Sequence, residues 1–259
     1  GILGKLAGIS FTIGGIRSSK LDRHKVLLNR ITQNNINYLT IYNNYSGVQQ
    51  LSLRGFNQNK AFVIPNGHEA KNAPIVRENR EIKEILSVGR FHHSKDYKTA
   101  LESIAAIRNK KSLRYTIIGY GKMLETIHEW IKKYDLVEIV KIVIKPNNLD
   151  SYYQKADIFL QTSIFEGLSN SLMEAMSFSL PVVTTNVGDN EKLVIDGVSG
   201  YLNKPCDFLG IAHSLEKLIN DYPLRISMGR EGYSLLCSNY SMPIFKKRYV
   251  NFIETLNGN

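Results

Sequence analysis

An α/β fold built on doubly wound parallel sheets is predicted for this chain, and three observations predict it. Short apolar runs rich in β-branched residues alternate with amphipathic helical patterns, as expected for strands joined by crossover helices. The runs ending at Val88, Ile118, Leu160 and Thr185 close on glycine-containing turns that lead into helices, the kind of loop that gathers ligands at one end of a parallel sheet. At 259 residues, 43% hydrophobic and 22% charged, the chain can bury one large core or two modest ones without disulfides or metals.

Taken in order, strands are expected over Ile9–Ile13, Tyr38–Tyr42 and Ala61–Ile64, with a helix over Leu21–Ile31. This is part of a doubly wound domain, spanning 1–67. His68 to Lys83 is polar, contains Pro74 and has no clean periodicity, so 68–83 reads as an interdomain linker. Strands over Ile85–Val88, Arg114–Ile118, Val137–Ile144, Asp157–Leu160 and Pro181–Thr185 then alternate with helices over Tyr97–Arg108, Lys122–Tyr134 and Phe208–Ile219. They make a complete second domain over 84–240. A final helix over 241–259 carries Ile244, Phe245, Tyr249, Phe252 and Ile253 on one side, and that apolar face is expected to cross back over the domain boundary.

Composition narrows the function. Lys and Arg number 33 against 23 Asp and Glu, a net charge of +10, with a pI near 9.4. Nucleic acid, anionic lipid headgroups and phosphorylated small molecules are the partners this admits. The lysines are dispersed, with no stripe interleaved with aromatics, which counts against nucleic acid. Cys206 and Cys237 form neither a disulfide framework nor a metal-ligand spacing, in keeping with a reducing, cytoplasmic setting. Ile2 to Ile16 is interrupted by Lys5, Ser10 and Thr12 and is shorter than the ~20 residues of a membrane span. With neither an initiator Met nor a basic leader, the chain reads as starting inside a longer protein.

The turns carry the chemistry. Gly89 and Arg90 follow one strand and Lys95 precedes the next helix. Two cations oppose a helix N-terminus unless an anion lies between them, so Arg90 and Lys95 suit a diphosphate, the alternative being a solvated loop. His92 and His93 lack a third ligand and read as loop residues. Gly119-Tyr120-Gly121 closes another strand and permits close backbone approach. The most informative segment runs from Phe165 to Met176. Ser169 or Asn170 can cap a helix whose buried face is Leu172, Met173, Ala175 and Met176, with Asn170 and Glu174 one turn apart on the other side. Glu166 stands just before that helix, where the amides of Gly167, Leu168 and Ser169 are free for an anion. Gly188-Asp189-Asn190-Glu191 makes one more such turn.

Together with Val63-Ile64-Pro65-Asn66-Gly67 and Pro181-Val182-Val183, these segments resemble the retaining nucleotide-sugar glycosyltransferases of the GT-B fold, in particular glycosyltransferase family 4. The resemblance covers nearly the whole chain. It implies two Rossmann-like domains facing across a cleft, the first incomplete here, with the donor held mainly by the second. It assigns Arg90 and Lys95 to the donor diphosphate, Glu174 to the ribose hydroxyls and Glu166 to the donor sugar and reaction centre. Backbone amides of Gly167, Leu168 and Ser169 would add hydrogen bonds, with Gly89, Gly119, Gly121 and Asn170 completing the donor site. The base is expected near Lys145 and Pro146. Arg17 and Asn190 are secondary candidates. No cofactor and no metal are implied, because the cations neutralise the diphosphate. The implied partners are a nucleoside diphosphate sugar, by preference a UDP-sugar, and a glycan or lipid-linked acceptor, with an anionic membrane surface as a further candidate. Two departures stand out: Asp96 and Asp189 occupy positions where the family often has glycine. A chain that binds the nucleotide-sugar without transferring it, and a basic nucleic-acid-binding module, are the competing readings.

Overall fold

The computed structural model describes residues 12–16, 23–71 and 73–257. The expectations for Arg17 and for Ile9–Phe11 fall outside them. Two compact units divide the chain, residues 1–67 with 242–259 and residues 68–241.

In the first unit β1 (Ile13–Ile16), β2 (Leu39–Tyr42) and β3 (Ala61–Val63) form a parallel sheet in that order. β1 thus begins where the expected strand ended, since Gly14 and Gly15 lie within it. Helices α1 (Arg23–Ile31) and α2 (Tyr45–Ser52) connect the strands, α2 being capped by Asn44, which accepts from the Gly47 amide at 2.6 Å. Ile16, Tyr42, Leu51 and Phe56 form the buried core. The final helix, α10 (Met242–Asn257), belongs to this unit: Phe252 is buried with its ring 4.6 Å from that of Phe62. A Cβ on Gly67 would stand 2.6 Å from Phe245 Cβ, so the Pro65-Asn66-Gly67 turn uses glycine to let α10 approach.

The second unit holds six parallel strands, β4 (Lys83–Val88), β5 (Leu113–Ile118), β6 (Val140–Val143), β7 (Ile158–Gln161), β8 (Val182–Thr185) and β9 (Gly200–Asn203), in the spatial order β6-β5-β4-β7-β8-β9. This order reverses direction between β4 and β7, the defining feature of a doubly wound sheet. Period-two alternation divides the side chains between two cores. Ile85, Tyr115, Ile117, Ile158, Leu160 and Val183 pack one way, against α3 (Tyr97–Ala106), α4 (Leu124–Lys133) and α8 (Phe208–Asn220). Leu86, Ile118, Phe159 and Val182 pack the other way, against α5 (Asp150–Lys155), α6 (Asn170–Ser177) and α9 (Tyr222–Tyr240). Each fully buried aliphatic side chain stabilises the unit by ~1.5–3 kcal/mol.

Some expected elements shift. The strand expected over Val137–Ile144 is confined to Val140–Val143, and the closing helix expected over 241–259 is α10, starting at Met242, with Pro243 in the first turn where its missing N–H costs nothing. β9, α5 and α9 were not anticipated. The stretch read as a linker is bound into the second unit. Arg77 is buried and donates to the carbonyls of Ala156, Ser179, Tyr153 and Phe178 at 2.5–3.1 Å. Among the described residues, no helix is long and apolar enough to cross a membrane.

Candidate active site

The reversal between β4 and β7 opens a crevice at the carboxyl ends of the strands, and a cavity of about 510 Å³ lies there. β4 delivers Gly89 and Arg90 to it, the following turn Ser94 and Lys95, and the loop from β7 into α6 the segment from Phe165 to Ser171. Glu174 adds its carboxylate from one turn into α6, and Leu149 an apolar edge. Nine of the residues expected from sequence therefore line one cavity: Gly89, Arg90, Lys95, Glu166, Gly167, Leu168, Ser169, Asn170 and Glu174.

Local chemistry explains the loop. Ser169 is the N-cap of α6, its hydroxyl accepting from the Leu172 amide at 3.4 Å, which leaves Asn170 exposed on the first turn. Gln161, at the end of β7, donates to the hydroxyls of Ser169 at 2.8 Å and Ser171 at 3.0 Å, fixing the cap from beneath. The loop is also held from β8. A Cβ on Gly188, whose φ is +60°, would stand 2.4 Å from the Glu166 carbonyl oxygen, and the Asp189 amide donates to the Gly167 carbonyl at 3.0 Å. Asp189 itself has a φ of −99°, so a side chain is tolerated where the family often has a second glycine.

Two carboxylates are anchored in different ways. Glu166 Oε1 accepts from Lys95 Nζ at 2.5 Å and from the Ser163 hydroxyl at 2.6 Å. Glu174 Oε2 accepts from the Tyr153 hydroxyl at 2.7 Å. Arg90 is exposed at the rim. Lys95 is held in place by the turn that follows it: Asp96, with φ +45°, caps α3 by accepting from the Thr99 amide at 3.3 Å and hydroxyl at 2.6 Å. A left-handed residue is required there, which accounts for glycine being common and for Asp being accepted.

Other expected residues lie one layer back. A Cβ on Gly119 would stand 1.9 Å from the Gly89 carbonyl oxygen, and one on Gly121, whose φ is +150°, 2.5 Å from that of Phe91. These glycines let the β5 turn pack on the Gly89–Phe91 loop and do not line the cavity. Asn190 is a correction. It is fully buried and donates to Gln161 Oε1 at 3.3 Å, Thr184 Oγ1 at 3.1 Å and the Thr185 carbonyl at 3.0 Å, because the turn at Gly188 directs α7 (Asn190–Leu193) inward. Lys145 Nζ lies 4.9 Å over the Tyr120 ring, away from the cavity lining. His92 serves its own loop, accepting from the Ser94 amide at 3.2 Å, and no group of three His, Cys, Asp or Glu suited to a metal occurs among the described residues. Ser163, Gln161 and Tyr153 were missed by sequence reasoning. Each is an ordinary strand-end or helix residue in sequence, and only packing gives it a role.

Comparison with known proteins follows the same segments. The sequence profile described as "Glycosyl transferases group 1" matches residues 69–235. The chain is 23% identical over 244 residues to the capsular polysaccharide biosynthesis glycosyltransferase CapM of Staphylococcus aureus, covering 93% of this chain and 61% of that protein. It is 35% identical over 143 residues to the amylovoran biosynthesis glycosyltransferase AmsK of Erwinia amylovora, covering 52% of this chain and 35% of that protein. It thus spans less than two thirds of the length of these curated relatives. In fold it matches the crystal structure of Anabaena HepE in complex with UDP, with a TM-score of 0.88 at 16% identity over 100% of this chain and 75% of that one.

Proposed function

We propose, from the premise that this chain belongs to the group 1 glycosyl transferases, that it is a family 4-type retaining enzyme. It transfers a hexose or N-acetylhexosamine from a UDP-sugar to a glycan or lipid-linked acceptor in polysaccharide assembly. The observation that carries this reading is the convergence of Arg90, Lys95, Glu166, the α6 N-terminus and Glu174 on one cavity at the β4–β7 reversal. The similarity to the polysaccharide biosynthesis glycosyltransferases CapM and AmsK and the UDP bound to HepE support it.

In this reading the diphosphate lies against Gly89, Arg90 and the amides of Gly167, Leu168 and Ser169, where the helix end favours negative charge. The Lys95 ammonium has three donors, so it can keep Glu166 and still reach a phosphate oxygen. As the anomeric C–O bond breaks, negative charge grows on the departing diphosphate and positive charge on the sugar. Donors fixed at the diphosphate then stabilise the transition state more than the ground state. Glu166 lies on the sugar side, anchoring Lys95 and facing the developing positive charge. Glu174 takes the ribose hydroxyls. Arg90 and Lys95 supply the charge neutralisation, so the reaction proceeds in excess chelator. The basic excess fits loose attachment to an anionic membrane at its cytoplasmic face.

Calorimetric titration with UDP and with single-stranded DNA tests the reading. UDP should bind and DNA should not, and Glu174→Ala and Arg90→Ala should each weaken UDP by about tenfold. Absence of UDP binding, or full binding by both variants, refutes it. Transfer assays with EDTA and with acceptor omitted then separate transfer from binding alone. Vesicles with and without acidic lipid test the membrane step.

A further inference from the structure

Glu174, which lines the cavity, is held from within the core by an aromatic residue. Its partner Tyr153, on α5, is 1% exposed and does not line the cavity. The Tyr153 ring is stacked on Phe178, with centroids 5.2 Å apart and planes 10° apart, and on Phe159 at 6.0 Å and 28°. Its backbone carbonyl is fixed as well, accepting from the buried Arg77 at 3.1 Å. The ring therefore has no freedom, and its hydroxyl donates to Glu174 Oε2 at 2.7 Å.

A buried hydroxyl requires a partner, but that requirement would be met by a backbone carbonyl. Here the partner is a carboxylate that also faces the cavity, and a hydrogen bond to an ionised acceptor is short and strong. Burial first, and then the Glu174 charge, hold the Tyr153 phenol well above its ordinary range, so it is a donor at every working pH. Glu174 Oε1 accepts no hydrogen bond among the described residues. A free Glu side chain on a helix samples several rotamers; this one is restricted to those that keep Oε2 on Tyr153.

We propose that Tyr153 is a positioning residue that holds Glu174 with one oxygen presented to the ribose hydroxyls, and so sets the preference for a ribonucleotide over a deoxyribonucleotide donor. This rests on the assignment of Glu174 to the ribose. A site built to hydrogen-bond a hydroxyl rejects the analogue that lacks it, provided the acceptor is held in place. Tyr153→Phe removes one oxygen, keeps the aromatic stack and frees the carboxylate.

The experiment is calorimetric titration of UDP and 2′-deoxy-UDP into the wild type, Tyr153→Phe, Phe178→Leu and Glu174→Ala. The wild type should prefer UDP, and Glu174→Ala should abolish the preference. Tyr153→Phe should cut the affinity ratio by about threefold or more, with 2′-deoxy-UDP affinity changed by less than about twofold. Phe178→Leu, which loosens the stack and keeps the hydroxyl, should give a smaller cut. A wild-type ratio in Tyr153→Phe, with the ratio lost in Glu174→Ala, overturns the inference and leaves the ribose assignment standing. A wild-type ratio in Glu174→Ala overturns that assignment itself. If Tyr153→Phe does not fold, an unchanged ratio in Phe178→Leu overturns the inference.

Discussion

Lys95 Nζ lies 2.5 Å from Glu166 Oε1, with the two side chains 18% and 13% exposed. The same oxygen takes the Ser163 hydroxyl at 2.6 Å. Two charges so far out of water depend on one another, and deleting one leaves the other uncompensated. The two substitutions nevertheless differ. Glu166→Gln keeps an acceptor for Ser163 and Lys95 and should cost about 1–2 kcal/mol of stability. It should lower the rate of sugar transfer by about a hundredfold, as loss of a charge at the reaction centre does, and change UDP affinity little. Lys95→Met should weaken UDP about tenfold and cost more stability, because it strands a largely buried carboxylate. Titration, transfer rates and thermal melts separate the two. Equal losses of UDP affinity in both variants would contradict the division of roles.

Gly188 controls the same loop from β8. Its φ is +60°, and a Cβ there would meet the carbonyl oxygens of Glu166 at 2.4 Å and Gly167 at 2.7 Å. Gly188→Ala should therefore displace the Glu166–Gly167 backbone and reduce UDP affinity by about tenfold or more, besides the ~1–2 kcal/mol of the left-handed conformation. Gly197 is the control: its φ is +74°, and nothing lies within 4 Å of the position of its Cβ. Gly197→Ala should lose a similar amount of stability with UDP affinity unchanged. A loss of affinity in both would mean that the backbone strain, and not the contact with the loop, is responsible.

How much was legible follows from which forces act locally. The loop from Phe165 to Ser171 could be read because capping, glycine and the apolar face of α6 are all short-range properties of the sequence. Alternating strands and helices were enough to expect a doubly wound parallel sheet, whereas the place of its reversal, between β4 and β7, is set by strand pairing. β9 escaped because Gly200-Tyr201-Leu202-Asn203 has no β-branched residue, and it is a strand through its pairing with β8. α9 escaped because Gly229 and Gly232 lower its helix propensity. In the fold Gly229 is required, since a Cβ would stand 2.1 Å from the Ser179 carbonyl oxygen. Asn190 was misplaced for the converse reason: its spacing put it at a ligand-binding turn, and the direction of its side chain depends on Gln161 and Thr184, which only the tertiary fold brings near.

Arg77 tests whether residues 68–83 are structural. The guanidinium donates to four backbone carbonyls of the α5 and α6 ends, and burial pulls its pKa down to about 10. Arg77→Ala would leave those carbonyls without their donor, at about 3 kcal/mol or more in total. For a unit of this size that is a fall in Tm of roughly 6–12 °C. Arg77→Lys should recover only part of it, because one ammonium cannot span the carbonyls that a planar fork reaches. A melt within a degree or two of wild type for Arg77→Ala would show the segment to be a passive connection.

Stability should depend on pH through His68. His68 opens the second unit, its amide donating to the Tyr240 carbonyl at 2.8 Å. Burial lowers the pKa of its imidazole, against the opposing charges of Glu174, Glu69 and Asp150 and with the help of Lys71. The folded state therefore prefers neutral His68, whereas the unfolded chain takes up the proton near its ordinary value of about 6.5. Below that value the unfolded state binds more protons, so stability declines as pH falls. The contribution is complete above about pH 6.5, is lost as pH falls through the lower folded pKa, and changes no further below it. His68→Gln has no such group. The difference in Tm between wild type and His68→Gln should be constant from about pH 8 to 7 and move against the wild type towards about pH 5. Parallel curves over that range would mean that burial does not outweigh the neighbouring carboxylates at this imidazole.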